Sequence, residues 1–412
     1  MIEFKRSILP NGLKVLVHED ISTPLAAVNV LYNVGSRDED PNQTGFAHLF
    51  EHLMFGGSAS IPVFDEPLQR ASGENNAFTS TDITNYYETL PAHNLETALW
   101  LESDRMNELA FSEHSLDIQR KVVCEEFKEH YINQPYGEVW HRLRALAYST
   151  HPYQWPTIGK KLEHIEEARL NDVKSFFYKY YRPDNAILVV AGAVEAAQVF
   201  ELAEKWFGNI AAGNTPARQL TPEPIQKELK SLTLHADVPL DAIYKAWHMP
   251  ARMDATYYAA DLITDVLSGG KSGRLYQSLV KEKKLFSEIN AYQTGSIDPG
   301  LIVAEGKLVK GVTMEQAEQA IDEEISKIAG NLIDELELTK VKNRVESQII
   351  FSETELLNKA MNLAYYELLG DAAMVNEEAA QYLKTSARDI QEQAQKIFIK
   401  ENCSVLYYHA DN

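Results

Sequence analysis

Two histidines and a glutamate lie within five residues of the chain, at His48, Glu51 and His52. Helix positions four apart share a face, so the two imidazoles can bind one zinc ion together. Zinc held in this way activates a water molecule, and Glu51 can accept the proton that the water gives up. The order H-x-x-E-H, the reverse of the commoner H-E-x-x-H, is a signature of zinc peptidases. The motif predicts a hydrolytic zinc site, and a chance match of three positions is the alternative.

A catalytic zinc ion usually has three protein ligands, so a third must come from elsewhere in the chain. The segment 119–130 is predicted to be helical, and Glu126, Glu129 and His130 share one of its faces. Helical phase places Glu125 on a neighbouring face. From spacing alone any of the three can be the ligand, and solvated side chains on an acidic helix fit the pattern equally well.

The two halves of the chain repeat one plan, which must position these residues. Each half has a strand that runs into a polar turn, then a helix that ends at a glycine pair, and finally a buried closing strand. In the first half the strand and turn lie at 26–39, the glycine pair at 56–57 and the closing strand at 185–190. In the second half they lie at 241–254, 269–270 and 403–408. At the 213-residue offset from Gly56 to Gly269, the three motif positions fall on Asp261, Thr264 and Asp265. The second half is therefore predicted to keep the helix without a metal site.

Strands and long amphipathic helices alternate irregularly in each half, with helices predicted at 93–109, 113–133 and 171–180. Without a regular βαβ repeat, this pattern predicts an α+β fold in which each domain has one mainly antiparallel sheet covered by helices. We place the boundary in the polar, proline-bearing stretch 212–224. The result is an N-terminal zinc-binding domain of residues 1–215 and a C-terminal homologous domain of residues 216–412 without metal ligands.

Composition excludes several classes of protein. The chain of 412 residues has 60 acidic and 39 basic residues and a net charge of −21, which argues against a nucleic-acid partner and is compatible with attraction of basic peptides. No apolar run reaches the ~18 residues of a membrane span, and no signal-peptide core follows Met1, so we expect a cytoplasmic protein with no membrane partner unless a longer precursor is trimmed. Cys124 and Cys403 lie in apolar stretches and are predicted to be buried, reduced thiols.

Several segments together resemble the M16 metallopeptidase family, which includes pitrilysin, insulin-degrading enzyme and the mitochondrial processing peptidase. They follow one another along nearly the whole chain: G-F-A-H-L-F-E-H-L-M-F at 45–55, N-A-F-T-x-x-D-x-T-x-Y at 76–86, A-L-W-L-E-S-D-R-M at 98–106, N-Q-P-Y-G at 133–137 and G-K-S-G-R-L-Y at 270–276. The resemblance implies the LuxS/MPP-like metallohydrolase fold, with two homologous domains arranged as half of a clam-shell chamber.

The resemblance also implies roles for individual residues. It makes His48 and His52 ligands of one Zn²⁺ ion and Glu51 the general base. A pattern similar to E-x-x-V-V-x-x-E ends at Glu126 and selects that residue as the third ligand. Gln119 begins the pattern where the family often has a supporting glutamate, so the charge around the metal differs here.

The family's substrate-binding strand corresponds to Asn76, Ala77, Phe78 and Thr79. An exposed edge strand can pair with an extended peptide through backbone hydrogen bonds, which demands little of the peptide's sequence. An ordinary edge strand fits these residues equally well, and only the resemblance favours substrate binding. We interpret the nearby Tyr86 and Tyr87 as core or pocket-wall residues rather than catalytic ones.

One part of the family's catalytic machinery is missing from this chain. Active members need an Arg and a Tyr seven residues apart, where this sequence has Val280 and Ser287, and neither can stabilise a developing oxyanion as that pair does. The resemblance therefore implies a heterodimer with a zinc-free M16 homologue that carries the pair, and peptides or unfolded segments as substrates. One alternative is an autonomous homodimeric peptidase. The other is a non-catalytic structural or assembly subunit, against which the intact H-x-x-E-H motif weighs.

Overall fold

The structure is a computed structural model that describes residues 1–213 and 218–411, and within these residues the chain forms eleven strands and fourteen α-helices. The strands are β1 (Lys5–Ile8), β2 (Lys14–Glu19), β3 (Leu25–Tyr32), β4 (Glu74–Thr79), β5 (Thr84–Pro91), β6 (Ala186–Gly192), β7 (Lys230–Ala236), β8 (Ala242–His248), β9 (Phe286–Gln293), β10 (Leu301–Leu308) and β11 (Cys403–Ala410). The helices are α1 (Phe46–Leu53), α2 (Asp65–Arg70), α3 (Leu95–Asn107), α4 (Glu113–Phe127), α5 (Val139–Ala147), α6 (Glu163–Glu166), α7 (Leu170–Tyr180), α8 (Ala196–Phe207), α9 (Tyr257–Ser268), α10 (Met314–Gly330), α11 (Glu335–Ser352), α12 (Leu356–Leu369), α13 (Glu378–Lys384) and α14 (Ala387–Ile397).

The strands form two sheets with the same internal order. The first sheet runs β1-β2-β6-β3-β5-β4 and the second runs β7-β11-β8-β10-β9, so every strand after β1 has a counterpart. The pairs β2–β6 and β7–β11 are parallel, and all other neighbours in the two sheets are antiparallel. This shared order confirms the repeat and the α+β fold of mainly antiparallel, helix-covered sheets.

The two compact units of the chain are not continuous in sequence. One consists of Met1–Glu129, Trp155–Leu220 and Ile350–Glu377, and the other of His130–Gln154, Thr221–Ile349 and Glu378–Asn412. As a consequence, α12 packs on β3 and β6 of the first sheet, and α5 packs on the equivalent strands β8 and β11 of the second. Each half of the chain thus contributes one helix to the unit that is built mainly from the other half.

This exchange differs from the simple division into residues 1–215 and 216–412. The position of that boundary lies outside the described residues, and it stays a prediction for where the two repeats meet. The exchange is invisible in the sequence because the apolar face of an amphipathic helix specifies burial but not which sheet it covers.

The helices predicted at 93–109 and 171–180 correspond closely to α3 and α7, and the one predicted at 113–133 begins as expected with α4 at Glu113. Ser112 caps α4 by accepting a hydrogen bond from the Ser115 N–H, as N-cap serines do. The helix ends earlier than predicted, at Phe127, and a π-helical turn over Lys128–Ile132 follows it.

Both cysteines are free and buried, as predicted. Of the helices in residues 1–213 and 218–411, none is both long and apolar enough to cross a bilayer.

Candidate metal centre

The helix α1 presents the motif because its apolar residues take the opposite face. Phe46, Ala47, Leu49, Phe50 and Leu53 are buried, whereas the three motif side chains, His48, Glu51 and His52, are half-buried. The i, i+3 and i+4 spacing places all three on one side of the helix. The local sequence therefore determines which way the histidines point.

The helix α4 brings Glu126 to the two histidines. Its carboxylate oxygens lie 3.7 Å from Nε2 of His48 and 3.4 Å from Nε2 of His52. One ligand atom from each residue lies within 4.8 Å of the other two, and among the described residues this is the one group of three or more side chains able to hold a metal. Glu129 and His130 fall in the π-helical turn beyond α4, where they are exposed and outside this cluster.

The chemistry of this donor set fits a zinc ion. Burial lowers the pKa of His48 to about 4, an effect that Glu126 opposes and His52 reinforces. The imidazole of His48 is therefore neutral at pH 7 and has a lone pair available for a metal. Two imidazole nitrogens and one carboxylate oxygen form the ligand set of several catalytic zinc sites, which leave a fourth position open.

Glu51 lies beside this cluster and next to the end of β4. Burial raises its pKa, whereas interactions with the side chain and backbone of Thr79 and the charge of His52 lower it. A carboxylate with a raised pKa is a stronger base, which suits a group that must accept a proton and later release it.

The strand β4 forms the edge of the first sheet. It pairs with β5 on one side, and its other side pairs with no strand that the structure describes. Asn76 and Phe78 are exposed, Ala77 and Thr79 are half-buried, and α1 packs against the strand. The predicted substrate strand is thus an open edge beside Glu51, and its role in binding peptides stays a prediction.

A buried network under α1 was not foreseen from the sequence. The Tyr86 hydroxyl donates to the Phe50 carbonyl at 3.3 Å, and the Arg105 guanidinium lies 4.4 Å from the centroid of the Tyr86 ring. Arg105 forms ion pairs with Glu88 and Glu102, and all three are almost fully buried. Tyr86 is therefore a core residue that supports α1. The one available signal was the presence of charged residues within a helix predicted to pack on a core.

The second half places different groups at the equivalent positions. Asp261 and Asp265 lie on α9, where Asp261 accepts a hydrogen bond from Tyr382 and Asp265 pairs with Arg344 at 3.5 Å. Thr264, which lies between them in the sequence, is buried, and its hydroxyl donates to the backbone carbonyl of Asp261. The predicted helix is present in the second half as α9. Among the described residues of that half, no group of three metal-ligating side chains lies within reach of one ion.

Val280 and Ser287 occupy the positions of the missing Arg and Tyr. Val280 lies in a π-helical turn over Tyr276–Glu282 and packs on the core. Ser287 is an exposed residue of β9 whose hydroxyl donates to the carbonyl of Lys307. Neither side chain offers a charge or an aromatic hydroxyl.

Comparison with known proteins gives consistent matches along the chain. The family model described as insulinase, peptidase family M16, matches residues 14–161, and the one described as peptidase M16 inactive domain matches residues 168–345. The first match contains the histidine motif and Glu126, whereas the second covers Asp261, Thr264 and Asp265. This division agrees with a metal site confined to the first half.

Individual relatives cover most of the chain. The zinc protease PqqE of Helicobacter pylori is 32% identical over 95% of this chain and 89% of its own length. The probable mitochondrial-processing peptidase subunit beta of Arabidopsis thaliana is 25% identical over 84% of this chain and 67% of its own length. A crystal structure of a protease from Helicobacter pylori superimposes with a TM-score of 0.94 at 29% identity, over 99% of this chain and 100% of that one.

Proposed function

The chain belongs to peptidase family M16, a family of zinc proteases, and on that premise we propose that it is a zinc-dependent endopeptidase subunit completed by a second, zinc-free chain. The observation that carries the proposal is the convergence of His48, His52 and Glu126 beside Glu51 and the open edge of β4. A fold alone would not justify an activity, but this constellation has a specific chemistry.

In the proposed reaction, each group has one task. His48, His52 and Glu126 hold the metal. A bound Zn²⁺ ion lowers the pKa of water and polarises the carbonyl under attack. Glu51 accepts the proton from the attacking water and passes it to the leaving nitrogen. The product then departs as a neutral amine and not as an anion. The edge of β4, including Asn76, Ala77, Phe78 and Thr79, aligns the peptide as an added strand.

The need for a second chain follows from what the chain lacks. Cleavage of an amide develops negative charge on the carbonyl oxygen, and one lost donor to that oxygen costs about 10²- to 10³-fold in rate. Val280 and Ser287 cannot replace an Arg and a Tyr in that role. A relative named as subunit beta of a processing peptidase supports a two-subunit arrangement.

The test is an assay of the full chain with and without a homologous chain that lacks H-x-x-E-H and carries an Arg and a Tyr seven residues apart. We expect one zinc per chain by atomic absorption, and cleavage of a quenched fluorescent peptide that rises about 100-fold or more when the second chain is added. A second chain with its Arg changed to Ala should form the complex without restoring this rate.

Two other results would contradict the proposal. Full activity of the purified chain alone, at a concentration where it is dimeric, would assign it as an autonomous homodimeric peptidase. Absence of stoichiometric zinc would assign it as a non-catalytic assembly subunit.

A further inference from the structure

We propose that Glu39 is a positioning residue that holds the amino end of α1, and with it His48, in the geometry that zinc requires. This inference rests on the zinc site of the proposed function. Glu39 follows the short helical turn Ser36–Asp38 and is only 6% exposed. A carboxylate buried to this extent needs compensating partners.

The partners of Glu39 are the first backbone groups of the metal helix. One carboxylate oxygen accepts the Ala47 N–H at 2.9 Å. The other accepts the Gly45 N–H at 2.9 Å and the Trp155 indole N–H at 3.1 Å. Burial raises the pKa of Glu39, and the three contacts, all with N–H donors, oppose this effect because they favour the ionised carboxylate. The carboxylate also lies at the positive end of the helix dipole.

The helix α1 needs a distant cap because it has no local one. The first N–H groups of a helix have no partner within it, and a side chain at the N-cap usually accepts one of them. The N-cap of α1 is Gly45, which has no side chain and a φ of 89°. A Cβ at this position would lie 2.7 Å from the carbonyl oxygen of Ile158, so a side-chain cap does not fit. Glu39 supplies the acceptor from six residues upstream.

The effect on the metal site passes through His48. Ala47, which Glu39 holds, directly precedes His48 in the helix. Ligating histidines usually donate their second ring nitrogen to a protein acceptor that fixes the ring. Nδ1 of His48 is buried and has no hydrogen-bond partner within residues 1–213 and 218–411. Without a hydrogen bond at Nδ1, the direction of Nε2 depends on the packing of the ring and on the helix backbone that Glu39 holds at Ala47.

The second half offers a contrast. There α9 begins after a local turn in which the Asp254 carboxylate accepts the N–H of the N-cap residue Thr256 at 2.8 Å and its hydroxyl at 2.7 Å. Asp254 is exposed, and its helix carries no metal ligands. An exposed carboxylate with one neighbouring residue as its partner thus precedes α9, whereas α1 is preceded by a buried carboxylate with three donors.

The matched pair of variants is Glu39→Gln and Asp254→Asn, each of which changes one carboxylate that bonds the start of a helix into an amide. In Glu39→Gln, the amide nitrogen meets N–H donors, so the start of α1 should loosen. We expect the zinc Kd of the full chain, measured by competition with a chelator, to rise about 10- to 100-fold. Asp254→Asn should leave the zinc Kd within about twofold of the parent, because its effect is confined to α9.

A second measurement separates positioning from a general loss of stability. Hydrogen exchange of residues 45–54 in the metal-free protein should be faster in Glu39→Gln than in the parent, and unchanged in Asp254→Asn. If Glu39→Gln does not fold, Trp155→Phe removes one donor from the same carboxylate and should raise the zinc Kd about threefold, the effect of one lost hydrogen bond.

A parental zinc Kd and parental exchange rates in Glu39→Gln, together with a lowered Tm, would overturn the inference and leave Glu39 a purely structural residue. If the parent chain itself binds no zinc, the proposed function fails, and the exchange rates of residues 45–54 still decide whether Glu39 positions the helix.

Discussion

The two halves of the chain each pack a helix against the edge strand of their sheet, α1 on β4 and α9 on β9. The charged and polar side chains on the two helices differ. In the first half, His52 on α1 lies 3.4 Å from Glu126 on α4. In the second half, Asp265 on α9 lies 3.5 Å from Arg344 on α11. Asp265 follows His52 by 213 residues and Arg344 follows Glu126 by 218, so the two contacts lie within five residues of a common offset in the repeat.

The difference lies in where the positive charge comes from. The first half has two imidazoles and a carboxylate, a donor set that suits an external cation. In the second half the guanidinium of Arg344 is a cation built into the chain, and it faces a carboxylate directly. The comparison teaches that two helices of the same repeat can carry either a cluster of metal-binding side chains or an ion pair.

The largest expected effect is on catalysis. Glu51→Gln removes the group that accepts the proton, so kcat/KM of the assembled enzyme should fall about 10²- to 10⁴-fold with zinc content unchanged. The equivalent change in the second half, Thr264→Val, removes a hydroxyl that bonds only to the backbone of its own helix in the described contacts and should not alter kcat/KM. Lost zinc or retained turnover in Glu51→Gln would refute its assignment as general base.

The second largest expected effect is on zinc affinity, which should depend on the first half of the chain and not on the second. Glu126→Gln removes the anionic ligand and should weaken zinc affinity by more than about 100-fold, as measured by atomic absorption after dialysis and by chelator competition. Arg344→Gln should retain full zinc. Glu125→Gln, one residue away on α4 and exposed, controls for the loss of a charge. Full occupancy in Glu126→Gln would move the third ligand to Glu129 or His130.

The equivalence itself can be tested by transferring the site. The triple variant Asp261→His, Asp265→His and Arg344→Glu places the ligand set of the first half on α9 and α11. We expect zinc content to rise from one to two ions per chain, with weaker binding at the new site because Tyr382 loses its acceptor at Asp261. A triple variant that folds and still binds one zinc would show that the two scaffolds differ in backbone geometry.

The smallest effect concerns the pH dependence of stability. Burial raises the pKa of Asp265 to about 6, helped by the charge of Asp261 and opposed by Arg344. The folded state thus binds this proton more tightly than the unfolded state, and the contribution of Asp265 to stability falls as pH rises from about 4 to 6.

Asp265→Asn removes this titration. Its free energy of unfolding relative to the parent should therefore increase by about 1 to 2 kcal/mol from pH 4 to pH 6, allowing for the partial exposure of the group. Urea denaturation at each pH measures the difference. A difference that does not change with pH would indicate that Arg344 keeps Asp265 ionised throughout.

The sequence by itself determined the local features of this protein. The helical period of 3.6 residues places His48, Glu51 and His52 on one face, and the apolar positions between them force that face outward. The internal repeat and the sheet-and-helix plan of each half were also readable, because strand and helix periodicities recur in the same order in both halves. The buried thiols and the lack of metal ligands in the second half followed from composition and offset.

The tertiary structure decided everything that depends on distance between separate elements. Spacing left Glu126, Glu129 and His130 as alternatives within the segment, and the packing of α4 against α1, with its end at Phe127, brings Glu126 to the histidines. The exchange of α5 and α12 between the units had no sequence signal, since both helices are amphipathic and both sheets accept them.

The capping of α1 by Glu39 was hidden in the same way. A glutamate six residues before the helix reads as part of a polar turn, and only the fold buries it against the Gly45 and Ala47 amides. Periodicity reports which face of an element is buried, but it contains no information on which buried surfaces meet, because hydrophobic burial is non-directional. The sequence thus specified the candidate ligands on one helix, and packing specified which side chains lie against them.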